Sequence, residues 1–311
     1  MVFPGGAIDR ADHVAAQRFF ANVATCSGAT TDAQMEEAAF KIGAARELFE
    51  EAGINLARGT AHNADGDTAD TLLAGLSEDM AEGGWRDKLR SGETTWGEMA
   101  ASVGAQKAVR AVNGLFDWCS FITPDAEAAR LKKGGFYTKF FGAACPAAAV
   151  PSASADAEET VMLCWLSPEE ALHAAASGAF FLAPPQYFIL TQLAENCPTL
   201  ESIPVYASSN AHRITREYPI KPYPIKMDPD DEGALTRMST TAVAITMPGD
   251  ELHPVFPGES GCKNRIYMSD KLGQLAAGTS YTYIKNCDGP LQYPLPAAKI
   301  DMFQTVGQAK L

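Results

Sequence analysis

The chain has 311 residues, 46% hydrophobic and 20% charged, the proportions of an ordinary folded protein able to bury a sizeable core. Its 38 acids against 25 lysines and arginines leave a formal charge of −13, a field that repels phosphate backbones and excludes nonspecific nucleic-acid binding. No apolar run reaches the roughly 20 residues a membrane span needs, and residues 1–25 lack the basic start and apolar centre of a secretory signal. The seven cysteines, at 26, 119, 145, 164, 197, 262 and 287, show no paired spacing, which argues for reduced thiols and against zinc.

In chain order, Val2 and Phe3 read as the end of a strand that turns at Pro4-Gly5-Gly6, with only Met1 before it. Residues 10–30 read as an insert, with a short helical pattern around 14–23 and a small-residue turn at Ser27-Gly28-Ala29. Thr31 and Gln34 have capping-box spacing, and Asp32, Glu36 and Glu37 suit the positive end of the helix that follows. Ile42, Ala45, Phe49 and Ala52 recur at helical spacing and predict a core-facing stripe, ended by Gly53 at positive φ.

Residues 68–113 are acidic and helix-rich. Leu72, Leu73, Leu76 and Met80 form one amphipathic face, and a second runs over 96–112. Strand character returns over 116–124, 136–141 and 161–166, the last two separated by a small, polar loop at 143–157. Short helices are predicted over 172–176 and 187–194. After Cys197 prolines and tyrosines increase, with strands predicted around 235–246 and 281–284. This alternation of strands and covering helices argues for an α/β class.

The stretch Arg46-Glu47-Leu48-Phe49-Glu50-Glu51-Ala52-Gly53-Ile54 carries the chemistry. It places three carboxylates within five residues at the end of a helix, where Glu47, Glu50 and Glu51 can converge on one edge. Unpaired, they would repel one another, and they sit at the unfavourable end of the helix dipole. A divalent cation removes that cost, and hard oxygen donors suit Mg²⁺ or Mn²⁺. Arg46, four residues before Glu50, can hold it in a charge-assisted hydrogen bond.

Residue by residue, Arg46 to Ile54 match Arg-Glu-hydrophobic-x-Glu-Glu-x-Gly-hydrophobic, the core of the Nudix box, so the chain resembles the Nudix hydrolases. The usual box has a glycine fourteen residues before the arginine and a glutamate eight before it; those positions here are Asp32 and Ala38. The glycine element appears instead at Pro4-Gly5-Gly6, far from the helix. That split arrangement is similar to the subgroup containing the peroxisomal coenzyme A diphosphatases. Trp118, Ile122-Thr123-Pro124, Phe136 to Phe141, Glu159, Trp165 to Leu172 and Met247-Pro248-Gly249-Asp250 extend the resemblance along the chain.

The resemblance implies an α/β/α sandwich with a mixed β-sheet, a helical insertion and a C-terminal extension. Residues 1–195 would form the catalytic domain, with inserts at 10–30 and 68–113, and 196–311 an extension packed on it. Relatives of this type carry strands upstream of the glycine turn, so the expectation is that Met1 is not the natural start and those strands are missing.

For the site, the resemblance implies Mg²⁺ or Mn²⁺ on Glu47, Glu50 and Glu51, with Glu50, Glu51, Arg46 and Glu159 in the catalytic machinery. Gly5 and Gly6 would close their backbone against the metal site, where a carbonyl can serve as a ligand. Lys139 would either contact phosphate or pack its stem in a strand, and Tyr137 stands where relatives have an acid. The implied reaction is hydrolysis of the diphosphate in coenzyme A or acyl-coenzyme A, giving 3′,5′-ADP and 4′-phosphopantetheine or its acyl form. ADP-ribose or a dinucleotide as substrate, or a catalytically weak ligand-binding relative, are the alternatives.

The five histidines form no close pair or HExxH, and no GxSxG occurs, so nothing local supports covalent catalysis. Ala309-Lys310-Leu311 resembles the peroxisomal C-terminal signal, which implies a peroxisomal import receptor as partner and a peroxisomal location in a eukaryote, cytoplasmic otherwise.

Overall fold

The computed structural model describes residues 3–20, 32–56, 84–131, 134–143, 162–177, 179–209, 212, 216–226, 242–269 and 281–285. They fall into two compact units, one formed mainly by 3–116 and 141–165 and the other by 117–140 and 166–311.

The first unit is helical. Asp9 and Asp12 start α1 (Arg10–Phe20) reciprocally: the Asp12 N–H donates to Asp9 Oδ1 at 2.8 Å and the Asp9 N–H to Asp12 Oδ2 at 3.1 Å. This is capping-box geometry, two orphan donors satisfied by two side chains. Helix α2 (Asp32–Ala52) buries Ala39, Ile42, Ala45, Phe49 and Ala52, the stripe its periodicity predicts. Burying Ile42 and Phe49 stabilises the unit by about 1.5–3 kcal/mol each. Gly53, at φ 70°, ends the helix, its N–H donating to the Phe49 carbonyl.

The predicted helix over 96–112 is two helices, α4 (Trp96–Val103) and α5 (Ala105–Asn113), after the short α3 (Trp85–Arg90). Gly104 takes φ 106° between them, a backbone state that a helix cannot continue through. Trp96, Met99 and Val112 join Ile42 and Phe49 in one core.

The second unit holds most of β1 (Phe116–Ile122) and β2 (Tyr137–Gly142), which pair as a two-stranded sheet, with α6 (Asp125–Ala128) between them. A parallel bridge joins Phe121 to Ile220. Helix α7 (Pro168–Ala176) begins earlier than its apolar pattern predicts, because Ser167 and Glu170 form a capping box and Pro168 is its first residue. Helices α8 (Pro184–Asn196) and α9 (Ser202–Ser208) follow. Strands β3 (Tyr223–Lys226), β4 (Ala242–Thr246), β5 (Asn264–Ser269) and β6 (Tyr281–Lys285) form an antiparallel sheet in that order. The consecutive residues Ile266 and Tyr267 are both buried, so β5 is covered on both faces. Helices and short sheets together give the α/β class that the sequence implies.

Two predicted strands differ. Residues 162–166 form no strand, and Met162, Trp165 and Leu166 are exposed; among the described residues nothing pairs with them, and an apolar run forms a strand only with a partner. Phe3 is likewise outside any strand. Val2, Thr31, residues 68–83, 144–161 and 235–241, and the C-terminal tripeptide lie outside the described residues.

Candidate active site

Arg46 organises the site. Its guanidinium has five N–H donors in a planar fork, and the structure gives each a partner. Nη1 donates to Glu47 Oε1 and to Glu50 Oε2, both at 2.9 Å. Nε reaches Asp12 Oδ1 at 3.2 Å and Nη2 reaches Asp12 Oδ2 at 3.1 Å, a bidentate contact. The second Nη2 donor meets the carbonyl of Ala7 at 2.9 Å. The bond to Glu50 is the one the four-residue spacing predicts.

The glycine turn closes over the same carboxylates. The Gly5 N–H donates to Glu51 Oε1 at 3.1 Å, and Glu51 is buried although it lies outside the apolar stripe. A Cβ on Gly6 would collide with the Glu47 carboxylate, so any larger residue here would push that carboxylate from its present place. Gly5, Gly6, Arg46, Glu47, Glu50 and Glu51 are therefore brought together, although about forty residues separate the turn from the helix end.

Burial raises the Glu50 carboxyl above the usual range; Arg46 opposes this and Glu47 adds to it. Burial also raises Asp12, against the pull of the Arg46 hydrogen bonds and charge. Burial opposes the charge on Arg46, yet Asp12, Glu47 and Glu50 hold its pKa above the ordinary arginine value. We take Asp12 and Arg46 as an ionised pair, because guanidinium donors sit on both carboxylate oxygens.

The carboxylates offer hard oxygen donors, the type that Mg²⁺ and Mn²⁺ accept. The glycine turn also gathers them, its backbone lying against the Glu47 carboxylate with no Cβ between and its Gly5 N–H on Glu51. On both counts Glu47, Glu50 and Glu51 fit a divalent cation. As they stand they turn toward Arg46 and the Gly5–Gly6 backbone, and among the described residues no three acids, histidines or cysteines surround one point closely enough to be a ready metal cage.

Asp12 is the residue that sequence reasoning missed. Residues 10–30 read as an insert, yet Asp12 on α1 is almost fully buried against the box arginine. A signal was available. The usual box puts its glycine and first glutamate six residues apart, and Gly6 and Asp12 have that spacing here. Ala38, where the contiguous box would have its glutamate, is buried with the apolar stripe of α2. The acid that supports Arg46 thus precedes the intervening segment. Arg86 on α3, which donates to the carbonyls of Glu50 and Glu51, was also unforeseen. Lys139 lies half-buried on β2 in the second unit, and Glu159 is outside the described residues.

A helix-borne Arg-Glu-x-x-Glu-Glu-x-Gly box, closed by a glycine turn on an α/β scaffold, defines a Nudix domain. Residues 16–193, more than half of the chain, match the NUDT19 Nudix domain family, and the chain belongs to that family. It is similar to the acyl-coenzyme A diphosphatase NUDT19 of Gallus gallus, at 30% identity over 239 residues covering 76% of this chain and 58% of the relative. The protein of the same name in Xenopus laevis is 25% identical over 236 residues, covering 76% and 56%. That of Homo sapiens is 31% identical over 159 residues, covering 51% and 40%. The chain therefore spans little more than half the length of the first two of these curated relatives. No solved structure matches the chain significantly. Among the described residues no helix is long and apolar enough to cross a membrane.

Proposed function

We propose that this protein hydrolyses the diphosphate linkage of coenzyme A or acyl-coenzyme A, releasing 3′,5′-ADP and 4′-phosphopantetheine or its acyl form. The observation that carries this reading is the Arg46 cluster, in which one arginine and a glycine turn gather the three box carboxylates. The names of the NUDT19 relatives support the choice of coenzyme A among diphosphate substrates.

Nudix hydrolases generally use divalent metal ions, and we assign Mg²⁺ or Mn²⁺ to Glu47, Glu50 and Glu51. When bound, the cation supplies charge neutralisation for the diphosphate and acidifies a water molecule. The chain's own part is positional. Arg46 holds Glu47 and Glu50, and the Gly5 N–H holds Glu51, so the three carboxylates are gathered on one side of the helix end. A water oxygen forms the new bond to phosphorus while the anhydride P–O bond breaks. We assign the water's proton to a carboxylate, with Glu159 as the candidate outside the box, and Lys139 to a phosphate oxygen.

The test is a screen of the purified protein, supplied with manganese, against coenzyme A, acetyl-coenzyme A, NADH and ADP-ribose, with products separated by chromatography. Formation of 3′,5′-ADP is the expected result; preference for ADP-ribose over coenzyme A would overturn the assignment. Glu159→Gln should lower kcat, and Lys139→Ala should raise KM while sparing kcat. For the tail at 309–311 we propose recognition by a peroxisomal import receptor. A fluorescent protein carrying this tail should enter peroxisomes and stay in the cytosol once Leu311 is removed.

A further inference from the structure

Helix α2 ends with its chemistry at the wrong electrostatic pole. Its final turns carry Glu47, Glu50 and Glu51, and its last turn holds no basic residue. The carbonyls of the last turn have no partner within the helix, and they carry the negative end of the dipole. Gly53 and the Phe49 carbonyl close the last regular bond, which leaves the carbonyls of Glu50 and Glu51 in need of outside donors.

Arg86 supplies them. Its Nε donates to the Glu50 carbonyl and its Nη2 to the Glu51 carbonyl, both at 2.8 Å. A guanidinium spanning two consecutive carbonyls fixes the peptide planes on either side of Glu51, and so the direction in which both side chains leave the backbone. It also places a positive charge against the dipole's negative end, where the acids most need one.

We propose that Arg86 is a positioning residue for the box glutamates, its two bonds to the carbonyls at the end of α2 setting the geometry of the cation and diphosphate site. This rests on the reading of that site given above. It gives the helical insertion a role in catalysis beyond covering the core: its first described helix holds the backbone of Glu50 and Glu51 in register with Arg46 and the glycine turn.

The experiment uses the whole chain with Arg86→Ala, Arg86→Lys and, as a control, Leu89→Ala. Leu89 is buried on the same helix, so its truncation loosens α3 without removing the carbonyl contacts. Three readouts are compared: kcat and KM for coenzyme A, Mn²⁺ affinity from the free-ion resonance signal, and the urea midpoint. Removing a partner that orients a metal ligand typically costs about 10–100-fold in affinity or activity. Arg86→Ala should therefore lower kcat about tenfold or more with little change in KM, and should weaken Mn²⁺ binding by about tenfold. The direction of the second effect is diagnostic, because loss of a nearby positive charge alone would tighten cation binding. Arg86→Lys should recover part of both losses.

Unchanged kcat and Mn²⁺ affinity in Arg86→Ala would overturn the proposal, as would tighter Mn²⁺ binding or the same losses in Leu89→Ala. If the wild-type chain binds Mn²⁺ in an Arg86-dependent way but leaves coenzyme A intact, the coenzyme A assignment falls and the positioning role stands. If it hydrolyses coenzyme A equally well with and without Arg86, the reverse holds.

Discussion

Arg265 in the second unit and Arg46 in the first are both buried with carboxylates, but their surroundings balance differently. Arg265 grips Asp250 through Nε and Nη2 at 2.7 and 2.8 Å, and the same Asp250 oxygens accept the N–H groups of Leu252 and Asn264. A second acid, Glu251, stands further off at 3.5 Å and accepts from the Gly261 N–H. Every oxygen of Asp250 is bonded there, and the network anchors the turns between β4 and β5. Arg46 instead holds three acids within hydrogen-bond distance, and Glu51 joins them under the glycine turn. One positive charge faces a surplus of negative ones. The first cluster reads as a structural anchor, whereas the second carries the excess of negative charge that the cation proposed for it would offset.

The largest effect that tests this contrast is on stability. Asp250→Ala removes both short carboxylate bonds from Arg265 and leaves it with the more distant Glu251 and with Tyr267; breaking a buried pair in this way costs about 3–5 kcal/mol. Urea unfolding should show it; a loss under about 1 kcal/mol would mean that Arg265 finds other partners and the anchor reading is wrong.

Glu50→Gln probes the opposite cluster. Metal-dependent turnover should fall at least about 100-fold, equivalent to about 2.7 kcal/mol of barrier, while the urea midpoint stays the same or rises, since one of the crowded charges is gone. A protein that keeps its turnover, or loses it only by unfolding, would place Glu50 outside the chemistry.

Asp12→Asn sharpens the comparison from the arginine side. Arg46 keeps Glu47, Glu50 and the Ala7 carbonyl, so the loss should be about 1.5–3 kcal/mol, in the range for a hydrogen bond to a charged group and below that of Asp250→Ala. Equal losses in the two variants would show that Asp12 is as indispensable to its arginine as Asp250, and that the surplus acids do not substitute.

What could be read in advance follows the same division. Helix α2 was legible because its signals are local: the apolar stripe, the acids three and four residues apart, and Gly53 all lie within a dozen residues. The Arg46–Glu50 bond follows from helical spacing alone. Asp12 was harder, being 34 residues from Arg46, and only its distance from Gly6 marks it. Arg86 leaves less trace still, because it binds backbone carbonyls, which every residue has. The one hint is the absence of a basic residue in the last turn of α2. The run 161–166 misled for a related reason: apolar residues signal burial or pairing, but a strand exists only when its partner does.

The smallest effect concerns protons in the second unit, where the closed network should make stability depend on pH through two buried histidines. The Nε2 of His212 meets the Trp118 carbonyl, while its Nδ1 is buried with no hydrogen-bond partner among the described residues. The Nδ1 of His253 accepts the N–H groups of Val255 and Phe256, which leaves its Nε2 as the donor to the Lys221 carbonyl. Protonation would bury an unpaired donor in the first case and break two bonds in the second. Burial lowers both pKa values, with Arg216 adding to the effect at His212, and the carbonyl contacts oppose it. A histidine whose folded pKa lies below the unfolded value of about 6.5 leaves the unfolded chain with more bound protons as pH falls. Its contribution is therefore complete above about pH 6.5 and is lost on acidification. The urea midpoint should drop between pH 7.5 and 5.5, and His212→Gln should flatten part of that slope, since glutamine keeps a donor for the Trp118 carbonyl and cannot take up a proton. Carboxylates raised by burial, Asp12 and Glu50 among them, push the opposite way, so the difference between wild type and variant is the quantity to read. Parallel slopes in the two proteins would remove His212 from the proton balance.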